Sequence, residues 1–422
     1  MKKYLPRIVD KKVKKLLEVS GAVCIEGAKW CGKTSTSSEH CNSSIFIGDP
    51  AGNFQNRSLA KLSPGTVLMG ETPRLIDEWQ EVPELWDAVR FEVDKRSKKG
   101  QFILTGSATP ITKGILHSGA GRISMLYMRP MALFESLDST GEISLEDLCN
   151  GYYKNMMTEE LSLDRLIDLI IRGGWPGNLD SASEDMGILP KEYIKSVINH
   201  DVYMMEGINR DTHKMELLLN SLARNESTAA SILTLQKDIQ EADSEKLDHQ
   251  TITTYLAIFE RLFLIDNIKA FSTNIRSSTR IKKSVKRHFV DPSLAVALLN
   301  LNAKKLIGDL KTLGFLFEAL CIRDLRIYAE SFGAEIYHYQ DYKKREIDAV
   351  IELPDGNWCA FEIKLGANQI EQAAANLLKI KNDLLAEKAK TPSVLCVICG
   401  LSNAAYLRED GVYVVPLTAL KQ

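Results

Sequence analysis

No apolar run in these 422 residues approaches the length that a membrane span requires, so the chain is expected to stay in water. The start lacks an apolar stretch as well. Met1-Lys-Lys-Tyr-Leu-Pro6 is charged at once, which argues against a secretory signal and predicts a cytoplasmic protein. Nor is there an excess of one charge: 53 Lys and Arg stand against 55 Asp and Glu, so any nucleic-acid contact must come from local patches. Metal-type cysteine clusters are missing too. Of eight cysteines only Cys396 and Cys399 have a Cys-x-x-Cys spacing, and they lie in Ser393-Val-Leu-Cys-Val-Ile-Cys-Gly400, a buried-strand pattern that sends residues three apart to opposite faces.

What is present is ordinary globular material, 45% hydrophobic and 26% charged, in a chain too long for one core, so two to four domains are expected. Two basic patches stand out. Lys2, Lys3, Arg7, Lys11, Lys12, Lys14 and Lys15 read as the wet face of a helix, while Arg276, Arg280, Lys282, Lys283, Lys286 and Arg287 form a stretch with no acid between Asp266 and Asp291.

The most specific motif is Gly27-Ala-Lys-Trp-Cys-Gly-Lys-Thr34, set between a strand pattern, Gly21 to Glu26, and a Ser/Thr-rich helix start. That is the setting of a phosphate-cradling loop. Gly27 and Gly32 let amides turn inward, Lys33 neutralises the outer phosphates, and the Thr34 hydroxyl suits Mg2+. Ala28, Lys29, Trp30, Cys31 and Ser35 complete the ATP-binding set. Downstream, Pro73-Arg-Leu-Ile-Asp-Glu78 reads as a short strand ending in two acids, with Asp77 orienting Mg2+ and Glu78 activating water. Gln101 to Ser107 is another buried strand, whose polar end offers Thr105 or Ser107 either as a sensor of the γ-phosphate or as a satisfied turn hydroxyl. Arg122 is either an arginine that reaches phosphate, from the same or a neighbouring subunit, or one member of a surface salt bridge.

Taken in order, the loop, Leu75-Ile-Asp-Glu-Trp-Gln-Glu-Val-Pro83, Leu104-Thr-Gly-Ser-Ala108, Ser118-Gly-Ala-Gly-Arg122 and Arg129-Pro-Met-Ala-Leu-Phe-Glu135 resemble the prokaryotic AAA-type ATPases of the archaeal-ATPase-like branch. That family carries a C-terminal domain of unknown function with a restriction-endonuclease-like core. The resemblance implies ATP binding and hydrolysis, a P-loop three-layer αβα domain at 1–135, and a helical lid at 136–215.

Residues 216–290 hold two amphipathic helices, Thr228 to Gln240 and Gln250 to Leu264. Ile252, Leu256, Phe259 and Phe263 lie on the apolar face, an arrangement resembling a winged helix-turn-helix. The basic stretch from Arg276 then falls where a wing would meet the phosphates of double-stranded DNA. The alternatives are a packing module and, for the whole chain, a homo-oligomer or a protein partner.

In 291–422, Arg345 to Leu353 and Asn357 to Leu365 flank Pro354-Asp-Gly356, a turn that sets a hairpin register. Asp348 then faces Glu362, and Glu346 faces Lys364. Asp348, Glu362 and Lys364 share one face; Ile347, Ile351, Phe361, Ile363 and Leu365 share the other. Two facing carboxylates need a cation, and Glu318, inside the apolar run Phe315 to Ile322, needs a partner as well. The set resembles the PD-(D/E)xK nucleases, in which Asp348, Glu362 and Glu318 would hold Mg2+ and Lys364 would orient the attacking water. The alternative is a retained α/β nuclease-like fold with a structural ion-pair cluster.

Overall fold

In a computed structural model the residues described are 4–107, 116–203, 208, 210–242, 247–274, 284–341, 343 and 345–422. They divide into two compact units: residues 1–130, 199–210 and 257–264 in the first, and residues 131–198, 211–256 and 265–422 in the second.

In the first unit, helix α1 (Asp10–Val19) leads into strand β1 (Ala22–Glu26), the loop, and helix α2 (Lys33–Glu39). Strands β2 (Ser43–Phe46) and β3 (Arg74–Asp77), helix α3 (Glu84–Arg96), and strands β4 (Phe102–Gly106) and β5 (Ile123–Tyr127) follow. The strands form one parallel sheet in the order β2-β3-β4-β1-β5. Cys24, Ile76 and Leu104 pack with Leu85, Trp86 and Val89 of α3, while Val23, Ile25, Leu75 and Ile103 are equally buried. Both faces are therefore covered, the usual condition of an all-parallel sheet. The apolar runs of β1, β3 and β4 were legible for that reason.

The second unit is built on a mixed sheet. Its elements include β6 (Ile143–Ser144), β7 (Met156–Met157), α4 (Thr212–Arg224), α5 (Ile232–Ala242), α6 (His249–Arg261, whose last residues fall in the first unit), α7 (Leu310–Ser331), β8 (Glu335–Gln340) and β9 (Glu346–Glu352). After them come β10 (Trp358–Gly366), α8 (Ile370–Ala386), β11 (Val394–Leu401), β12 (Ala404–Leu407), β13 (Val412–Pro416) and β14 (Leu420–Lys421). Seven strands order as β7-β12-β13-β11-β10-β9-β8, and β14 pairs with β6 in parallel. Ile370, Ala374, Leu377 and Ile380 of α8 close over Val350, Trp358, Ala360, Val397 and Val414. Cys396 and Cys399 are both fully buried, as core residues of β11.

The expected lid, 136–215, falls mostly within the second unit. Residues 131–198 belong to the second unit, where β6 and β7 each pair with a C-terminal strand, and of this region only Asn199–Arg210 falls in the first unit.

The hairpin keeps the expected register from Glu352/Trp358 to Ala349/Phe361, with Gly356 at φ +80° in its turn. One detail departs from a period of two. Tyr337 pairs with Val350 but Tyr339 with Ile347, so two steps on β8 match three on β9, a bulge at Asp348–Ala349. Ile347 is thereby returned to the side of Val350, among the residues under α8, instead of sharing a face with Ile351.

Candidate functional site

Glycine is required twice in the loop after β1. A Cβ on Gly27 would lie 2.0 Å from the Met128 carbonyl oxygen, and Gly32 has a φ of +104° that side chains rarely adopt. Lys33 is buried at the centre of the loop, donating to the carbonyls of Gly27 (2.9 Å) and Ala28 (2.8 Å). Around it, Lys29 pairs with Asp201 (2.6 Å), Trp30 is exposed at the crest, the Cys31 thiol approaches Met128 O (3.5 Å), and Ser35 is exposed on α2.

β3 ends beside this loop because it neighbours β4, which neighbours β1. Asp77 Oδ1 accepts from the hydroxyls of Thr34 (2.9 Å) and Thr105 (2.7 Å). Burial raises the Asp77 pKa above the usual carboxylate value, and the two hydroxyls oppose that shift. Glu78 follows in the left-handed region (φ 56°, ψ 47°), which costs about 1–2 kcal/mol in a residue with a Cβ and turns its amide onto Thr105 Oγ1 at 3.1 Å. The Ser107 hydroxyl donates to Glu78 Oε2 at 2.9 Å, and the Gln80 amide donates to the same oxygen. Thr105 and Ser107 thus hold the two acids, one each. Residue 108, the last of the Leu104–Ala108 motif, lies outside the described residues.

Arg122 sits at the other edge. Its carbonyl accepts from Ala22 N at the start of β1, and Ile123 pairs with Ala22 whereas Tyr127 pairs with Glu26. Four strand steps of about 3.3 Å separate that edge from the loop. The guanidinium is half exposed and donates to Asp94 Oδ1 at 2.9 Å, the surface salt bridge of the two alternatives. Within one chain it does not reach the phosphate loop.

Arg7 departs from the wet-face reading of its basic cluster. It is buried and donates to Cys31 O (2.8 Å) and Arg129 O (2.9 Å), while Lys11, Lys12, Lys14 and Lys15 are exposed on α1 as expected; Lys2 and Lys3 lie outside the described residues. The signal available was the apolar company of Leu5, Pro6, Ile8 and Val9.

In the second unit the expected carboxylates are close but differently paired. Ile363 N–H donates to Asp348 Oδ2 (2.8 Å), and Lys364 Nζ reaches Asp348 (3.0 Å) and Glu362 (2.5 Å). Asn376 donates to Glu362 Oε1 at 2.7 Å. Lys286, absent from the expected set, pairs with Glu318 and lies 3.8 Å from Asp348. Among the described residues no group of three His, Cys, Asp or Glu side chains is arranged to hold a metal ion. The positive charge beside Glu318, Asp348 and Glu362 in this arrangement comes from Lys286 and Lys364. Burial pushes Glu318 and Glu362 up to about 7, with Asp348 adding to both; burial acts the same way on Asp348, but Lys286 and Lys364 outweigh it and hold that carboxyl low.

Lys286 reaches this cluster from a ribbon in which Ile265 bridges Phe289 and Ile268 bridges Lys286. Arg287 is buried and donates to Ala230 O at 3.3 Å, so neither residue of this end of the basic stretch is presented to a nucleic acid. Arg276, Arg280, Lys282 and Lys283 lie outside the described residues.

Comparison with known proteins gives three family matches. Residues 19–137 match the AAA domain, 163–305 a domain of unknown function (DUF8612), and 313–420 a second domain of unknown function (DUF4143). Uncharacterized proteins of Mycobacterium tuberculosis and Mycobacterium bovis are each 23% identical over 291 residues, 68% of this chain and 58% of theirs, so the chain spans little more than half of these relatives. The Walker-type ATPase of Pyrococcus abyssi overlays with a TM-score of 0.42 at 13% identity, covering 69% of this chain and 94% of that one. The first unit is thus similar to AAA-type ATPase domains by its sequence match and carries the parallel sheet described above. Among the described residues no helix is long and apolar enough to cross a membrane.

Proposed function

We propose that the first unit binds ATP and hydrolyses its terminal phosphate, and that the second unit responds to the nucleotide. The observation that carries this reading is the convergence of the loop hydroxyl Thr34 and the strand-end acid Asp77, 2.9 Å apart, next to a loop with Lys33 at its centre. Thr34 and Asp77 are hard oxygen donors suited to Mg2+, which when bound would draw charge from the β- and γ-phosphate oxygens. Lys33 would exchange loop carbonyls for phosphate oxygens. Glu78, placed one residue past Asp77, would take a proton from the attacking water.

The test is ATP titration and turnover. Lys33→Ala is expected to lose tight ATP binding, and Glu78→Gln to keep binding while turnover stalls. Wild-type turnover in Glu78→Gln removes Glu78 from this role; ATP binding unaffected by Lys33→Ala removes the site.

For the second unit, a nuclease-like tail preceded by a winged-helix module, acting as a nucleotide-regulated interaction domain without cleavage, is favoured over an active nuclease. The favouring observation is Lys286 seated against Glu318. Plasmid DNA with Mg2+ is expected to remain intact with wild type and with Asp348→Ala alike; nicking by wild type that Asp348→Ala abolishes reverses this choice.

A further inference from the structure

Gln80 sits in the single 3-10 turn Trp79–Glu81 that Glu78 opens with its positive φ. Its amide nitrogen donates to Glu78 Oε2 and, at 3.3 Å, to Ser107 Oγ. A carboxylate can only accept, and the Ser107 hydrogen is already spent on Glu78 Oε2, so the nitrogen must face both of them. That fixes the other end of the amide. Gln80 Oε1 is buried and accepts from no donor among the described residues. A buried carbonyl oxygen without a donor is costly and rarely tolerated, so its place beside a candidate base points to a missing donor. Glu78, for its part, takes both side-chain donors on Oε2, which leaves Oε1 to meet something else.

Resting on the reading of Glu78 as the base of ATP hydrolysis, we infer that Gln80 is a second catalytic contact of the attacking water. Water donates one hydrogen to Glu78 Oε1 and the other to Gln80 Oε1, which turns a lone pair of its oxygen toward the γ-phosphorus. As the new oxygen–phosphorus bond forms, the proton held by Glu78 transfers to that carboxylate. The bond from the γ-phosphorus to the β,γ-bridging oxygen breaks, and its electron pair leaves with ADP. Gln80 gains and loses no proton; it supplies direction.

The rival is a purely positioning role, in which Gln80 acts only by holding Glu78. Single-turnover hydrolysis with labelled ATP separates the two in Gln80→Ala, Glu78→Gln and the double variant, with ATP affinity measured on each. Gln80→Met keeps the bulk if the alanine variant fails to fold. A water contact is expected to show as a fall in the rate constant of about ten- to hundredfold with affinity within about threefold. It also predicts a further several-fold fall when Gln80→Ala is added to Glu78→Gln. A double variant equal to Glu78→Gln alone, or a wild-type rate in both Gln80 variants, overturns the proposal. Wild type that binds ATP tightly without hydrolysing it also overturns this proposal while leaving the binding site standing; absence of ATP binding removes both.

Discussion

At the loop end of the first sheet Asp77 and Glu78 are held by neutral donors, two threonines, a serine and a glutamine, whereas Asp348, Glu318 and Glu362 of the second unit are held mainly by the ammonium groups of Lys286 and Lys364. A hydroxyl orients a carboxylate without cancelling its charge, so that pair still attracts a divalent cation. A lysine cancels it. Three acids against two lysines leave one negative charge, and the two glutamates pushed up to about 7 are where a proton can remove it. The first arrangement is suited to receiving a charged ligand, the second to being complete in itself.

This contrast can be broken most directly at Lys286. Lys286→Ala would strand buried carboxylates and is expected to destabilise the second unit by about 3–5 kcal/mol, read as faster hydrogen exchange in β9 and β10; Lys286→Met with Glu318→Leu should recover much of that loss. Unchanged exchange in the single variant would mean the lysine is not what balances the cluster.

A smaller effect follows from pH. Glu318 and Glu362 bind a proton more tightly folded than unfolded, so their contribution to stability is complete below about 4.5 and is lost as pH rises through about 7. Asp348, held low, loses its own contribution only at more acid pH, below the ordinary carboxylate range. The second unit should therefore gain on the order of 1–3 kcal/mol between pH 8 and pH 5, and Glu362→Gln should flatten the slope of its melting temperature. A flat wild-type profile would contradict the residual charge.

At the other end of the comparison, Thr105→Val removes the donor to Asp77 and the acceptor of the Glu78 amide. The expected cost is about 1–3 kcal/mol in unfolding of the first unit, with weakened Mg2+-dependent ATP turnover. The smallest effect belongs to Arg122. Breaking its exposed pair with Asp94 in Arg122→Ala should cost no more than about 1 kcal/mol and leave turnover of the isolated chain as it was; a large loss of turnover would return Arg122 to the chemistry.

Much of the backbone was legible because burial writes itself into short apolar runs: Ala22–Glu26, Phe102–Gly106 and the β9–β10 hairpin were all read from such runs and from turn residues. The loop was legible because glycine, lysine and threonine are each required at one place. Long-range partners were not. Lys286 lies 32 residues from Glu318 and 62 from Asp348, and a lysine in a basic stretch carries no local sign that it will turn inward. The bulge at Asp348–Ala349 was hidden because it is imposed by β8, whose pairing an alternation pattern in β9 cannot express. Gln80 carries no sign in the sequence because its role depends on which end of its amide a neighbour has already claimed.

The Arg7 guanidinium grips the crest of the phosphate loop with one nitrogen and the exit of β5 with another. Those carbonyls, on Cys31 and Arg129, are 98 positions apart along the chain yet hang from one rigid planar group. If ATP lifts the loop, Arg129 must follow or let go, and either event would be legible as a change at a place the nucleotide never touches.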